Sequence, residues 1–236
     1  MSRKTIYFHH SALFFALLLV LLLAVFALVF FGAVSIAFAN VGFTPLTILL
    51  LLLCTLAGSF INIPVVKLRT TVPMVHDDYV NWFGIPYRIP HVEYGTAVTI
   101  VAVNVGGALI PTAVSIYLLA RSSLSVIALS IIGILVVSLT THLVARPVKG
   151  VGIVTPAFIP PIAAAVSAFI LVAFAPSQSR TTIAYVAGTL GTLIGADLLN
   201  LQKISKLGAP VASIGGAGTF DGVFLTGIIA VLIAGL

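Results

Sequence analysis

Residues 11–39 read SALFFALLLVLLLAVFALVFFGAVSIAFA, an apolar run without a single charged side chain. About 20 such residues suffice for one transmembrane helix, so the run predicts a span that tilts or protrudes. It follows Ser2-Arg3-Lys4 and ends in Ala37-Phe38-Ala39, a pattern that imitates a secretory signal peptide. Because the apolar part of a signal peptide has only about 7–15 residues, we expect a retained helix.

The composition of the whole chain indicates a membrane protein. Hydrophobic residues make up 61% of its 236 residues and charged residues only 7%, whereas soluble domains carry about 25% charged residues. Lipid is therefore the expected solvent, and we predict a multi-pass protein of the cell membrane. The net charge of +6 is spread over loops, which favours anionic lipid headgroups over nucleic acid as its partner.

Six further apolar segments extend the prediction to an all-α bundle of seven transmembrane helices, forming one domain over residues 1–236. The additional predicted spans are Pro45–Ile63, Thr96–Ala120, Leu124–Val144, Pro156–Ala175, Thr182–Leu201 and Ser213–Leu236. Between the second and third spans lies the polar stretch Val65–Gly95, which is rich in Pro, Tyr and β-branched residues. This stretch predicts a short hairpin or an interfacial segment on the cytoplasmic side.

The basic residues predict the orientation of these spans. With a cytoplasmic N-terminus, nine basic residues lie inside and two lie outside, which is the bias of the positive-inside rule. The nine are Arg3, Lys4, Lys67, Arg69, Arg88, Arg146, Lys149, Lys203 and Lys206, and the two are Arg121 and Arg180.

Two of the five acidic residues, Asp197 and Asp221, fall within the last two predicted spans. A carboxylate inside a bilayer costs about 2.5 kcal/mol or more, so such residues usually face a protein interior and mark function. At about 1.5 Å per residue, the two lie roughly 6 and 12 Å from the same membrane face. Because consecutive helices with a short connection are usually antiparallel neighbours, we expect the two aspartates to face each other.

This placement predicts a site in which two carboxylates share a proton. Neither helix has a predicted Lys, Arg or His at that depth, and close carboxylates without a basic partner do not both ionise. Aspartic proteases use this state to activate water and to protonate a carbonyl. The surrounding glycines allow close approach of the backbones; they are Gly191, Gly195, Gly215, Gly216, Gly218 and Gly222.

A family resemblance adds to this interpretation. The segments Gly195-Ala196-Asp197 and Gly216-Ala217-Gly218-Thr219-Phe220-Asp221-Gly222 resemble a degenerate form of the GxGD intramembrane aspartyl proteases. That group includes presenilin, signal peptide peptidase and the prepilin peptidases. The resemblance implies Asp197 and Asp221 as the catalytic pair, a transmembrane-helix protein as substrate, and no cofactor. The whole chain is also similar to a family of archaeal and bacterial membrane proteins of unknown function.

The same resemblance implies a substrate cleft. Presenilin-like members have a Pro-Ala-Leu motif near the active site, and Pro156-Ala157-Phe158 is its counterpart here. Together with Gly218 and Gly222, these residues are the expected substrate-binding positions. The substrate helix would have to unwind into an extended strand, because a helical peptide bond is shielded from water.

Three other interpretations of the aspartates stay open at this point. In an ion- or proton-coupled transporter, Asp197 and Asp221 would bind Na⁺ or a proton together with Asn104 and Asn200, since hard cations take oxygen ligands. A catalytically inactive binding protein would keep the fold without the reaction. A purely structural role would have each carboxylate cap its own broken helix.

A metal site in the polar stretch is the weaker interpretation of its ionisable residues. These residues are His76, Asp77, Asp78, His91 and Glu93, whose spacing matches no closed zinc pattern. We expect an ordinary solvated loop, with a hairpin that holds His76 and His91 apart.

Overall fold

A computed structural model describes residues 10–83, 85–148, 152–173, 179–204, 209–216 and 221–236. The helices are α1 (His10–Asn40), α2 (Pro45–Gly58), α3 (Ile110–Ala120), α4 (Leu124–Val144), α5 (Ile159–Ala173), α6 (Arg180–Thr192), α7 (Leu201–Ile204) and α8 (Gly222–Ala234). The strands are β1 (Asn62–Trp82), β2 (Ile85–Asn104), β3 (Arg146–Val148), β4 (Gly152–Val154) and β5 (Val211–Ile214). A π-helical turn, Val105–Leu109, precedes α3; a second, Leu193–Asp197, and a 3₁₀ turn, Leu198–Asn200, join α6 to α7.

In the described part of the chain, three helices are long and apolar enough to cross a membrane. They are Ala12–Asn40, Leu124–Val144 and Arg180–Ile204. Four shorter apolar helices, Pro45–Gly58, Val105–Ala120, Ile159–Ala173 and Gly222–Ala234, have between 10 and 17 residues. At about 1.5 Å per residue, a helix of that length is shorter than the hydrocarbon core of about 30 Å.

The expectation of an all-α protein was wrong, because a substantial sheet accompanies the helices. β1 and β2 form a long antiparallel hairpin from Asn62 to Asn104, and β5 pairs in parallel with the end of β2. Residues 98–103 read VTIVAV, and such β-branched residues favour strands when partners are available on both sides. The hairpin predicted for the polar stretch is therefore present but extends well beyond it.

Two predicted spans are corrected by this sheet. The third span was expected to begin at Thr96, but residues up to Asn104 belong to β2, and helical structure begins at Val105. The seventh was expected to begin at Ser213, which instead lies in β5, so that α8 begins at Gly222. In both cases strand pairing between distant segments overrides an apolar pattern that is equally compatible with a helix.

Helix α6 lies at the centre of the bundle and packs against α4, α5, α8 and α3. Small residues make this possible, since glycines on α6 let neighbouring backbones approach closely. A Cβ atom on Gly191 would lie 2.7 Å from Cβ of Val137 in α4, and one on Gly188 would lie 3.3 Å from Cγ2 of Thr226 in α8. Tyr185 of α6 is also buried, and its ring centroid lies 5.9 Å from that of Phe38 in α1.

Most of α1 faces outward. Its side chains from residue 13 to 29 are largely exposed and apolar, whereas Val34, Ala37 and Phe38 near its end are buried. An apolar surface of this extent needs lipid or protein to cover it.

The sheet lies where several helices end or begin. β1 follows α2, β2 leads into α3, and β5 lies between α7 and α8. This end of the bundle therefore brings residues from distant parts of the chain together.

Candidate functional site

Asp197 lies at the end of a local distortion in the long helix from Arg180 to Ile204. Gly195 within the π-helical turn packs directly against the backbone carbonyl of Ser138, where any side chain would collide. The turn leaves backbone carbonyls without their usual hydrogen-bond donors, and the Asn200 side chain takes the place of those donors. Its Nδ2 donates to the carbonyl oxygens of Gly195 at 3.0 Å and of Ala196 at 2.9 Å. π-helical turns of this kind are frequent at functional sites.

The carboxylate of Asp197 is held at the end of strand β5. Its Oδ2 accepts a hydrogen bond from the backbone nitrogen of Gly215 at 3.4 Å. Gly215 has a φ of +66°, in the left-handed region that glycine adopts without strain. Its carbonyl oxygen lies against the Cα of Gly107, so that no side chain fits on Gly107.

Gly107 belongs to the π-helical turn that follows β2, and Asn104 organises this turn. The Asn104 Oδ1 accepts a hydrogen bond from the nitrogen of Gly107 at 2.8 Å. Its Nδ2 donates to the carbonyl of Ser59 at 2.8 Å and to Oδ1 of Asn62 at 3.1 Å. This fully buried side chain thus ties the end of α2, the start of β1 and the turn together.

Asp221 also lies against Gly107. It is the N-cap residue of α8, with an extended backbone (φ −73°, ψ 165°). Its Cβ lies 3.1 Å from the position that a Cβ on Gly107 would occupy. The structure therefore places both aspartates around the contact between Gly107 and Gly215.

The position of Asp221 in its helix differs from the expectation. We expected it about eight residues inside the last span, but it stands immediately before α8, and Ser213, where that span was expected to begin, lies in strand β5. In the described structure, the Asp221 side chain makes no capping hydrogen bond to the first turn of α8.

Hydrogen bonds from the sheet support this arrangement. Ser213 of β5 donates through its Oγ to Oδ1 of Asn62. Thr99 of β2 donates through its Oγ1 to the carbonyl of Ala209 at 2.9 Å. The segment before Gly215 is thereby fixed to both strands of the long hairpin.

The expected substrate-binding residues lie in different places. Pro156, Ala157 and Phe158 are exposed just before α5, after a small hairpin whose strand β4 packs against the turn that ends at Asp197. Gly222 is exposed beside Asp221, and a Cβ there would meet open space. Gly218 lies outside the described residues.

Sequence reasoning missed the residues that hold the aspartates in place. Gly107, Asn62 and Ser213 had not been singled out, although Asn104 had been named as an ion ligand. The segment Asn104-Val105-Gly106-Gly107 could have indicated the capped turn, because an Asn shortly before two glycines often caps an irregular turn with its side chain. The bonds from this turn through Asn62 of β1 to Ser213 of β5 could not be predicted without knowing how the strands pair.

A second polar feature runs through the middle of the bundle. Several buried side-chain oxygens have no hydrogen-bond partner among the described residues; they belong to Ser130, Thr141, Tyr185, Thr189, Thr192 and Asn200. Tyr185, Thr189 and Thr192 follow one another along one side of α6 at spacings of four and three residues.

Comparison with known proteins places the chain in a family. Neither the curated proteins nor the solved structures contain a match. The model of the family described as "Protein of unknown function (DUF1614)" matches residues 56–233. The matched segment begins at the end of α2 and includes the long hairpin, both aspartates and every residue that braces them. Since it covers well over half of the sequence, this chain belongs to the DUF1614 family.

Proposed function

We propose that this protein is an intramembrane hydrolase of the aspartyl protease type, with Asp197 and Asp221 as its catalytic pair. The observation that carries the proposal is the meeting of the two aspartates at the contact between Gly107 and Gly215. Two carboxylates that approach each other at this contact would hold one proton between them, because double ionisation would place like charges together. One ionised and one protonated carboxyl group is the combination that aspartyl proteases use.

The reaction would proceed by general acid–base catalysis. The ionised aspartate accepts a proton from a water molecule while the water oxygen bonds to the carbonyl carbon of the peptide. The protonated aspartate donates its proton to the carbonyl oxygen. When the tetrahedral carbon collapses, the C–N bond breaks and the amine leaves with a proton from the carboxyl pair. The reaction needs no metal or organic cofactor.

The sheet supports an extended substrate. β5 is an edge strand of the described sheet, and it ends next to Gly215, which binds Asp197. A substrate segment unwound from a membrane helix would pair with this edge through its backbone, as peptides do when they extend a sheet. The open space beside Gly222 and the exposed Pro156-Ala157-Phe158 segment would border its path.

The proposal includes a multi-pass arrangement in the cell membrane. Seven helices would cross or enter the bilayer, with the N-terminus in the cytoplasm and the sheet on the cytoplasmic side. The bias of basic residues supports this orientation, and the three long apolar helices support the crossings themselves. The aspartates would then lie near the cytoplasmic surface, where water reaches them.

The test compares membranes that contain the wild-type protein with membranes that contain Asp221→Asn or Asp197→Asn. Mass spectrometry of new peptide termini within apolar segments should reveal cuts that appear with the wild type alone. Asp77→Asn, which changes a carboxylate on the hairpin, is the matched control and should retain every cut. An identical set of termini in wild type and Asp221→Asn would reject the proposal.

A binding assay makes the test independent of the natural substrate. A peptide in which a hydroxyethylene group replaces the scissile bond mimics the tetrahedral intermediate and should bind tightly. We expect binding to the wild type and to Asp77→Asn, with a loss of at least tenfold in either catalytic variant. Tight binding without any cut would instead identify a catalytically inactive binding protein.

The row of unpartnered hydroxyls along α6 favours a second candidate, an ion- or proton-coupled transporter. Buried polar groups without protein partners are commonly satisfied by ordered water or an ion. A file of water from Tyr185 to Thr192 would lead toward Asp197 through the bundle. In proteoliposomes, a proton or Na⁺ flux that falls in Thr192→Val and Asp197→Asn would support transport. The absence of flux in the wild type would reject it.

A further inference from the structure

Helix α3 is followed by an arginine at the end of the bundle that lies away from the sheet. The helix starts after the turn that contacts Gly215 and runs from Ile110 to Ala120, so Arg121 stands at its far end. The start of α6 and the end of α1 also meet here, because the Thr181 hydroxyl donates to the carbonyl of Asn40 at 3.0 Å. Arg121 therefore belongs to the end of the bundle opposite the aspartates.

Two aromatic rings hold the Arg121 side chain in place. Its Nη1 donates to the hydroxyl of Tyr117 at 2.7 Å, and its guanidinium carbon lies 5.6 Å from the centre of the same ring. This ring stacks on that of Phe43, in the connection between α1 and α2, with centroids 5.7 Å apart. Because a cation is attracted to the face of an aromatic ring, the two rings fix the position of the positive charge.

The positive charge of Arg121 has no acidic partner in the part of the chain that the structure describes. The five acidic residues of the sequence all lie elsewhere: Asp77, Asp78 and Glu93 in the long hairpin, and Asp197 and Asp221 beside the sheet. A guanidinium has five N–H donors in a planar fork. Tyr117 accepts from only one of these donors, so the others can bind an anion.

An apolar groove between α2 and α3 opens beside this arginine. The groove has a volume of about 410 Å³; Thr44 and Tyr117 line its outer part, and Leu51 and Ala113 line its inner part. Ala113 precedes Arg121 by eight residues, which corresponds to about 12 Å along the helix. The groove thus leads from the charged end of α3 toward the middle of the bundle.

A second cavity meets the same arginine on the side of α4 and α6. It has a volume of about 380 Å³, and Arg121, Tyr117 and Phe43 line both cavities. Its hydroxyl-bearing lining residues are Ser122, Ser179 and Thr182. Arg121 therefore stands between an apolar groove and a cavity lined with hydroxyl groups.

We propose that the two cavities together bind one anionic phospholipid, with its phosphate on the Arg121 guanidinium. A phosphate matches the planar fork of arginine and accepts two parallel hydrogen bonds from it. One acyl chain would lie in the groove between α2 and α3, and a hydroxyl-bearing headgroup such as glycerol would lie in the second cavity. Basic pockets between transmembrane helices are typical sites for acidic lipids.

The surroundings of Arg121 favour a lipid over a soluble anion. Tyrosines collect at the depth of lipid headgroups, and Tyr117 is 46% exposed beside the arginine. A soluble phosphate would use the arginine and leave the apolar groove uncovered, whereas a phospholipid would occupy both. The proposal is independent of the protease hypothesis, because the aspartate pair lies at the other end of the bundle.

The experiment measures lipid binding to the full chain, purified in a neutral detergent and freed of lipid by extended washing. Native mass spectrometry during a titration with phosphatidylglycerol should show one tightly bound lipid. Phosphatidylcholine with the same acyl chains should bind at least tenfold more weakly, because its headgroup has no net charge. Arg121→Gln should lose this preference, and Arg121→Lys should keep only part of it, since an ammonium group lacks the planar fork.

Arg180→Gln is the matched control for the charge. It removes an arginine at the same end of the bundle, but the Arg180 guanidinium lies over the ring of Phe169, 4.4 Å from its centre, and does not line either cavity. We expect this variant to bind phosphatidylglycerol as the wild type does. An equal loss of lipid in Arg180→Gln and Arg121→Gln would contradict a site at Arg121.

A second variant tests the groove separately from the charge. Ala113 is exposed in the wall of the groove, so Ala113→Trp should fill the groove and weaken phosphatidylglycerol binding at least tenfold. Ala24→Trp, the same substitution at an exposed position of α1, should have no effect. Far-UV circular dichroism and thermal unfolding in detergent should be the same for all variants.

Competition with glycerol phosphate separates a lipid site from a site for soluble phosphates. This molecule carries the phosphate and the glycerol without acyl chains, and it should not displace phosphatidylglycerol at an equal concentration. Displacement of the lipid by glycerol phosphate would overturn the proposal. Equal affinity of the wild type for the two lipids, or a protein dimer that forms in place of the lipid complex, would overturn it as well.

Discussion

Oδ2 of Asp197 accepts a hydrogen bond from the backbone nitrogen of Gly215 at 3.4 Å, although the two residues belong to different elements. Asp197 ends a distorted turn of a long helix, and Gly215 follows an edge strand. The bond fixes the helix to the sheet at the point where Asp221 and Gly107 also meet. The mechanical integrity of the site thus depends on backbone contacts that only glycine permits.

The first prediction concerns Gly107. A methyl group there would collide with the carbonyl oxygen of Gly215 and lie 3.1 Å from Cβ of Asp221. Gly107→Ala should therefore destabilise the protein by about 1–3 kcal/mol, the usual range for overpacking. It should also separate the two aspartates and, under the proposed function, abolish proteolysis. Thermal unfolding in detergent measures the effect, and Gly222→Ala, which adds a methyl group in open space, should unfold as the wild type does.

The second prediction concerns Asn200. Its Nδ2 satisfies two backbone carbonyls in the distorted turn, and leaving buried polar groups without partners costs about 1–3 kcal/mol. We expect Asn200→Ala to lower the free energy of unfolding by that amount in a denaturant titration. Thr140→Ala, which removes an exposed hydroxyl bound within its own helix, should change it by less than about 0.5 kcal/mol. Equal effects of the two substitutions would contradict the bracing role of Asn200.

The third prediction concerns the turn that Asn104 organises. Because the Asn104 side chain bonds to Gly107, Ser59 and Asn62, Asn104→Ala should loosen residues 105–109. Hydrogen exchange measured by mass spectrometry should become faster at least tenfold in this segment. Ser122→Ala, which removes a hydroxyl bond to Leu118 at the far end of α3, is the control. Unchanged exchange at 105–109 in Asn104→Ala would contradict this account.

The fourth prediction concerns orientation in the membrane. Cys54 is the one cysteine in the chain, so Cys54→Ala provides a background for single-cysteine labelling. Phe83 at the tip of the long hairpin is 94% exposed, and Leu124 at the start of α4 is 81% exposed. With a membrane-impermeant maleimide, Leu124→Cys should label in intact cells and Phe83→Cys only in inverted vesicles. Labelling of both from the same side would refute the proposed orientation.

The sequence by itself determined the class of protein and the helices whose signal is local. Charge-poor apolar runs predicted α1, and the bounds of the fourth span, Leu124–Val144, agree with those of α4. The Pro- and Tyr-rich stretch after α2 predicted a hairpin, which the structure contains. These features depend on composition and periodicity within one segment, so a single sequence is sufficient to predict them.

Only the tertiary structure decided where the strands pair and what that pairing brings together. Residues 98–103 and Val211–Ile214 are apolar enough for a helix, and they became strands because each supplied the other with a hydrogen-bonded neighbour. That pairing moved Asp221 to the start of α8 and placed Gly215 against Gly107. The local sequence pattern also could not predict that His76 and His91 stand opposite each other, because the strand register is set by contacts along the whole hairpin. Non-local pairing has no periodic signature in one sequence, which is why the two aspartates were identified from the sequence while the contact between Gly107 and Gly215 beside them was not.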